Sequence, residues 1–462
     1  MNKPLDVLLI YPNYTSKIFK SLHPPLGLAN LAAVLLENNI TVEILDCSFL
    51  NDLDEIKEKL SQYNPSIVGM SFMSPMKEAA YRVAEIVKDT YSDVLLVVGG
   101  PHPTVFRDEC IENKNIDIVV VGEGEITFTE LVKNFKKNKQ EFLKNREKIK
   151  GIYFKSGNKI IKNPPREPIR DLNVFPLPAY ELLPREYFGS RFSLITSRGC
   201  PFSCAYCQPT QRMIFGPGVK FDSPQRVIEK LKKILSNHQQ ISYIVFEDDT
   251  FTIDKKRVEE ICEQIIKNGI NKKVCFRCHI RARPFPDSET LEKMKKANFT
   301  NISVGFESGS DKILKELNKG TTAEDNITAG KTLRKLGFKV FAFIMIGAPS
   351  EDKNTLEETW RMVKQIKPFE ARVSIVTPLP GTQLENYCRN LGILNEKIPE
   401  KERYHYDSFS EIPIKLAINK SLLLKTKKKI ENFVRFNRFK TKIAENPGEI
   451  FIYLKHFVQK LV

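Results

Sequence analysis

Three cysteines within eight residues are the side chains of this chain best suited to chemistry: Cys200, Cys204 and Cys207 in the stretch Thr196-Ser197-Arg198-Gly199-Cys200-Pro201-Phe202-Ser203-Cys204-Ala205-Tyr206-Cys207. Thiolates are soft ligands, and C-x3-C-x2-C spacing on one loop lets three of them face one small cube of iron and sulfide. A cube has four irons, so three thiolates leave one iron open to a substrate. The same thiols could instead hold zinc or line an interior. Zinc normally takes four ligands, often in two close pairs, and the nearest fourth donor is far along the chain. Three cysteines this close are hard to explain as packing.

Other polar groups stand just after strand-like apolar runs. Glu247-Asp248-Asp249-Thr250 follows Tyr243-Ile244-Val245-Phe246. Such carboxylates either cap the next turn or accept from a ligand's ammonium and hydroxyl groups, and Asp248 is the one expected at a ligand. Glu307 and Ser308 end the run at 302–306, where a carboxylate suits a cis-diol. Gly347 follows 340–346, where a flat ligand would have to slide past the backbone. Gly99, Gly100 and His102 follow 94–98, and Gly122, Glu123 and Gly124 follow 118–121; glycines there either admit a bulky ligand or simply end strands. Cys275, Cys278 and His279 form a C-x-x-C-H string that is read as strand positions, not as a haem site or second cluster. Arg281 and Arg283 just beyond either meet an anion or are solvated.

The elements that must position these groups come in two series. Before residue 140, apolar runs at 7–10, 42–45, 67–70, 94–98 and 118–121 alternate with helical patterns at 26–37, 54–61, 76–89 and 125–136. Four-to-six-residue apolar runs alternating with helices imply βαβ units, a parallel sheet and a doubly wound domain with its ligand at the carboxyl ends of the strands. A hairpin turning at 156–158 and six prolines between 164 and 184 mark a connector, residues 141–192. From 193 to 390, six strand–helix repeats imply a partial (β/α)6 barrel that carries its site on the carboxyl face. Residues 391–462 complete the α/β chain as a basic, mostly helical tail.

At 462 residues the chain has ample core for about three domain-sized units. No apolar run reaches the length of a membrane span, and the start of the sequence offers no secretory signal, so a cytoplasmic location is expected. Nine cysteines, three clustered and six scattered, argue for thiols in a reducing compartment. The net charge is +16, of which residues 415–462 supply +9 through twelve Lys/Arg against three Glu. Aromatic and basic residues interleave at 433–440 and 451–457, and Tyr404-His405-Tyr406 precedes them in a loop that could overhang the barrel. Such a tail fits an anionic membrane face, the protein's own barrel or, last of the three, a nucleic acid.

The cysteine stretch, with Ser197-Arg198-Gly199 before it and Tyr206 inside it, resembles the signature of the radical S-adenosylmethionine (radical SAM) enzymes. Gly305-Phe306-Glu307-Ser308-Gly309-Ser310, Leu317-Asn318-Lys319-Gly320-Thr321-Thr322 and Thr377-Pro378-Leu379-Pro380-Gly381-Thr382 resemble further segments of that family. Pro24-Pro25-Leu26-Gly27-Leu28, Gly99-Gly100-Pro101-His102 and Gly122-Glu123-Gly124-Glu125 look like the cobalamin-binding domain of its B12-binding branch. The resemblance covers residues 1 to about 390 and implies a [4Fe–4S] cluster on Cys200, Cys204 and Cys207. It implies SAM contacts at Asp248, Glu307, Ser308 and Gly347, and cobalamin contacts at Gly99, Gly100, His102, Gly122, Glu123 and Gly124. It departs from many cobalamin proteins in that Tyr11-Pro12-Asn13-Tyr14-Thr15-Ser16-Lys17 lacks the histidine that ligates cobalt after the first strand.

The implied activity is reductive cleavage of SAM to a 5'-deoxyadenosyl radical, used for cobalamin-dependent methylation of an unactivated carbon. The alternatives are a radical SAM cyclase or rearrangement enzyme without methyl transfer, and a non-catalytic corrinoid or cluster sensor. Methylthiotransferases bring three cluster cysteines in their first domain, whereas this one has Cys47 and Cys110. Expected partners are a small-molecule or lipid-like substrate, a low-potential electron donor such as a ferredoxin or flavodoxin, and a peripheral membrane surface, but not nucleic acid.

Overall fold

A computed structural model describes residues 3–13, 23–207, 209–398, 403 and 413–445. Residues 14–17 of the first loop, Tyr404-His405-Tyr406 and the 451–457 stretch lie outside the described residues. The packing divides the chain into two compact units: residues 1–201 with 209–244, and residues 202–208 with 245–462.

The first unit is built on β1 (Lys3–Tyr11), β2 (Val42–Asp46), β3 (Tyr63–Ser71), β4 (Leu95–Gly99), β5 (Ile118–Val120), β6 (Ile152–Ser156) and β7 (Lys159–Lys162), paired in the order β2-β1-β3-β4-β5-β6-β7. The first five are parallel, because helices Leu26–Glu37, Leu53–Leu60 and Lys77–Thr90, and the short helices Pro101–Val105 and Arg107–Glu112, make the crossovers that parallel pairing requires; helix Gly124–Lys137 follows β5. Leu8, Ile10, Val68, Met70, Leu96 and Val98 are fully buried between these layers. The order reverses between β1 and β3, which is where a doubly wound sheet opens its ligand crevice.

The hairpin that the sequence assigns to a connector is part of this sheet. β6 pairs antiparallel with β5, and β7 with β6. Gly151, at φ +78°, turns the chain there: its amide donates to the Pro164 carbonyl at 2.8 Å and its carbonyl accepts from the Val121 amide at 2.9 Å.

The remaining strands are β8 (Arg191–Leu194), the short antiparallel pair β9 (Ser197–Arg198) and β10 (Lys220–Phe221), then β11 (Tyr243–Phe246), β12 (Cys275–Ile280), β13 (Phe299–Glu307), β14 (Lys339–Ile346) and β15 (Glu370–Ile375). Six form the half-barrel sheet, β15-β14-β13-β12-β11-β8, with β12 to β15 parallel. Strict alternation along β12 and β14 buries Phe276, Cys278, Ile280, Val340, Ala342, Ile344 and Ile346 on one face. Cys275 and His279 therefore face away from Cys278, and the C-x-x-C-H string cannot converge on one ion. Phe246, Phe251, Phe276 and Phe299 form the aromatic centre, with ring centroids 4.7–5.7 Å apart. Side-chain caps start the crossover helices: Asp254 for Lys255–Lys267, and capping boxes Thr322/Asp325 and Asp352/Thr355 for Ala323–Lys335 and Lys353–Ile366.

Helix Lys420–Glu445 packs on this second unit. Leu423, Thr426, Ile430 and Val434 are buried along one side, Phe433 meets Trp360 edge to face at 5.1 Å, and Lys429 lies 4.4 Å above the same indole. Arg438 pairs with Glu370, and Lys339 with Glu445 at 2.9 Å. Of the expected partners for the tail, the described part takes the barrel itself.

Candidate active site

The cysteine stretch begins on β9. Gly199 has φ +89°, and a Cβ on it would lie 2.5 Å from the Gly218 carbonyl oxygen, so only glycine lets the chain turn into Cys200 beside β10. Beneath this turn lies a buried charged layer. Arg198 donates from Nη1 to Glu123 Oε1 at 3.1 Å and from Nη2 to Glu125 Oε1 at 2.6 Å; Lys220 reaches Glu123 Oε2 at 2.6 Å. Asp222 pairs with Arg226 and Lys230 on the next helix, and a polar cavity of about 20 Å³ lies among Ser197, Arg198, Glu125 and Asp222. The two carboxylates hold the Arg198 guanidinium more firmly protonated than usual, overcoming the burial that opposes it.

In the second unit the stretch continues as a pinned turn. The Cys207 amide donates to the Cys204 carbonyl at 3.0 Å, the Ala205 amide to Leu317 at 2.9 Å, and the Leu384 amide to Ala205 at 2.9 Å. Asn318 Nδ2 donates to the Ser203 carbonyl at 2.7 Å. Cys200 and Cys204 are half-buried and Cys207 is exposed, whereas Cys47, Cys110, Cys262, Cys278 and Cys388 are buried. Burial pushes the thiols of Cys110 and Cys388 up to about 12, which keeps them protonated and inert. Cys275 is also half-buried but lies on β12, outside the motif, so the three motif thiols are the clustered accessible soft donors that a cluster requires. Among the described residues no three His, Cys, Asp or Glu side chains converge as a single ion would demand; a cube takes one thiolate per iron and needs no such convergence.

Glu307 stands where β13 breaks register against β14, between Gly305 and Glu307, and its φ is +63°. The bulge turns its carboxylate onto the half-buried Tyr206 and the buried Lys319: Tyr206 donates to Oε1 at 3.0 Å and Lys319 Nζ to the same atom at 2.9 Å. Both bonds fall on Oε1, which leaves Oε2 its acceptor capacity for a ribose diol. Burial first, then Glu307 and Cys204, raises the Tyr206 phenol, so Tyr206 stays a donor.

At the end of β11, Asp248 is buried and Asp249 reaches solvent. Surrounding protein, then the Asp248 charge, pushes the Asp249 carboxyl up to about 6, and His279 stands 3.3 Å from Glu247. This acidic strand end suits an ammonium group.

The other two SAM candidates are held inward. Ser308 Oγ lies 3.0 Å from Thr359 Oγ1 and accepts from the Ser310 amide at 3.1 Å. Gly347, at φ +87°, donates its amide to Glu351 at 2.9 Å, and a Cβ there would meet Leu423 at 3.1 Å.

In the first unit two of the strand-end glycines have open space beside them. A Cβ at Gly124 would meet nothing within 4 Å, and one at Gly122, where φ is +86°, would meet only the Ile214 carbonyl at 3.8 Å. Gly99 lies 3.5 Å from the Val120 carbonyl by the same measure, and Gly100, at φ +90°, is tight against Ser71. His102 is buried between Phe106, stacked at 4.7 Å, and Phe72 at 5.4 Å. Its Nδ1 lies 3.0 Å from Ser74 Oγ, and its buried Nε2 has no partner among the described residues. Glu123 differs from its neighbours: Arg198, Lys220 and the Ile169 amide use both its oxygens, so its side chain serves the protein.

Sequence reasoning missed Lys319 and Lys220 as charge partners. Lys319 lies in a motif segment, while Lys220 follows a glycine turn and carries no local signal.

Comparison with known proteins agrees with this layout. A family model described as the radical SAM superfamily matches residues 194–363, and one described as the B12 binding domain matches residues 18–132. An uncharacterized methyltransferase of Pyrococcus horikoshii is 35% identical over 399 residues, 84% of this chain and 83% of the relative. The anaerobic magnesium-protoporphyrin IX monomethyl ester cyclase of Cereibacter sphaeroides is 29% identical over 403 residues, 84% of this chain and 64% of the cyclase. Two solved structures share the fold. One is the radical SAM methyltransferase TsrM of Kitasatospora setae, with cobalamin and a [4Fe–4S] cluster bound (TM-score 0.71, 17% identity, 85% of this chain and 75% of TsrM). The other is the cobalamin-dependent enzyme OxsB with aqua-cobalamin and S-adenosylmethionine bound (TM-score 0.73, 18% identity, 97% and 68%). With a three-thiol loop on a half-barrel, a B12-binding sheet before it and a relative matching both along most of their length, the chain belongs to the B12-binding family of radical SAM enzymes.

Proposed function

We propose that this enzyme carries out cobalamin-dependent methylation of an unactivated carbon in a small-molecule or lipid-like substrate. One observation carries the reading: a chain with the radical SAM thiol loop also has, at Gly122 and Gly124, strand-end glycines with open space beside them for a corrinoid. When bound, the cluster and SAM supply one-electron reductive cleavage and cobalamin a transferable methyl group.

Cys200, Cys204 and Cys207 would hold the irons. Glu307 would accept from the SAM ribose through Oε2 while Tyr206 and Lys319 fix Oε1, and Asp248 would accept from the SAM ammonium. Ser308 and Gly347 would shape that pocket through the backbone, since their polar groups are already used within the fold. Gly99, Gly100, Gly122 and Gly124 would admit the corrinoid, His102 would offer Nε2 to its edge, and Glu123 would hold its loop. The electron would come from a ferredoxin- or flavodoxin-class donor. The exposed Leu424, Phe436, Lys425, Lys428 and Lys440 of the last helix would allow peripheral contact with an anionic membrane face. Among the described residues no helix is long and apolar enough to cross a membrane. The cyclase relative favours ring formation as a second reading.

The deciding experiment produces the protein with cobalamin available, reconstitutes it without oxygen, and measures iron, corrinoid and deoxyadenosine. About four irons and one cobalamin per chain, with deoxyadenosine formed, are expected. Deoxyadenosine without bound cobalamin would replace methylation by cyclisation or rearrangement, and neither product would leave a sensor. Recovery on anionic vesicles should fall when the tail is removed; equal recovery would remove the membrane proposal.

A further inference from the structure

Arg281, just beyond β12, is buried to 6% exposure, yet among the described residues no carboxylate pairs with it. Its guanidinium is fixed on every side. Nε donates to the Arg283 carbonyl at 3.2 Å, Nη2 donates to the Lys319 carbonyl, and the plane lies 3.8 Å over the Phe202 ring. The remaining arm, Nη1, lies 3.3 Å from Cys204 Sγ. A buried cation without a counter-anion is costly, and Lys319 close by is already matched by Glu307. The counter-charge that Arg281 lacks among the described residues is the one a thiolate-ligated cluster brings.

We infer that Arg281 is the positioning residue that sets the reduction potential of the cluster: its N–H bonds the Cys204 sulfur, and its fixed charge offsets the negative charge the cluster gains on taking one electron. The inference rests on the cluster reading above. A three-thiolate cluster is anionic when oxidised and gains one further negative charge when reduced, so an adjacent buried cation favours the reduced form. Hydrogen bonds to ligating sulfur act in the same direction. Arginine suits the task better than lysine because its planar fork bonds Cys204, Lys319 and Arg283 at once while stacking on Phe202.

The test is an EPR-monitored dithionite titration, without SAM, of anaerobically reconstituted full-length protein. Arg281→Gln should move the midpoint to more negative potential, so that at the wild-type midpoint the reduced-to-oxidised ratio falls at least tenfold, about 59 mV for one electron. Arg281→Lys, which keeps charge but not the fork, should shift less in the same direction. Arg283→Gln, on a side chain 67% exposed, should not shift. Full iron loading of the Gln variant with an unchanged midpoint would overturn the inference. If the Gln variant fails to load iron, the Lys variant decides, and a wild-type midpoint there would overturn it equally. Wild-type protein that assembles no cluster would instead sink the cluster reading, a result the iron assay separates from an unchanged potential.

Discussion

His102 keeps its imidazole where protonation is opposed. Phe72 and Phe106 flank the ring, and burial pulls its pKa down to about 4, outweighing the pull of Glu109. A histidine neutral when folded but basic when unfolded loses stability as pH falls from its unfolded value near 6.5 through about 4, because the unfolded chain then binds the extra proton. Between pH 7 and pH 5 this term should cost roughly 2 kcal/mol in the transition that unfolds the first unit. Urea titrations at the two pH values should show that loss in wild type and its disappearance in His102→Gln; equal pH dependence would refute it. Glu307 presents the opposite case, a buried carboxylate satisfied by Lys319 and Tyr206. Glu307→Gln leaves the Lys319 ammonium without its anion and should destabilise the second unit by about 3 kcal/mol, measurable by chemical denaturation. Residue types at the site were legible because soft donors and strand-end acids are rare in such spacing. Their partners were not, since Arg281 reaches Cys204 across 77 positions and Lys319 meets Tyr206 across 113, separations that no local pattern encodes.

At the scale of elements, β9 and its glycine turn are the most sensitive joint. Gly199→Ala places a methyl against the Gly218 carbonyl at 2.5 Å on a backbone with φ +89°. It should cost at least about 1–2 kcal/mol and misplace Cys200, so iron retained after reconstitution should drop well below the wild-type value while far-UV dichroism changes little. Gly124→Ala, with nothing near its Cβ, should leave the apo protein's stability almost unchanged. Helix 26–37 was read at its observed limits because apolar spacing there follows the helical period. The hairpin at Ile152–Ser156 and Lys159–Lys162 was recognised, but not its place in the first sheet. Alternating residues announce a strand; which neighbour it pairs with is decided by Gly151, whose bonds to Val121 and Pro164 are not written in the hairpin itself.

For the whole molecule, the net charge of +16 is concentrated in a tail that the sequence allows to meet a membrane or to pack on the barrel, and much of the last helix is spent on the barrel. Composition showed the basic residues but not which side of the helix was apolar enough to bury Leu423, Ile430 and Val434. Ending the chain before Lys420 removes these contacts, each worth about 1.5–3 kcal/mol if fully buried, and should lower the melting temperature of the second unit markedly. An unchanged melting temperature would show the helix to be an appendage.

The course of that helix has a further consequence. It starts where Leu423 covers Gly347 beyond β14 and passes Arg438 beside Glu370 at the start of β15, the last strand of an open sheet. An open sheet ends in unpaired backbone groups that recruit strands from other molecules. Helix Lys420–Glu445 stands guard beside that border, so shortened versions of this enzyme should form concentration-dependent aggregates, visible by light scattering, before they lose secondary structure.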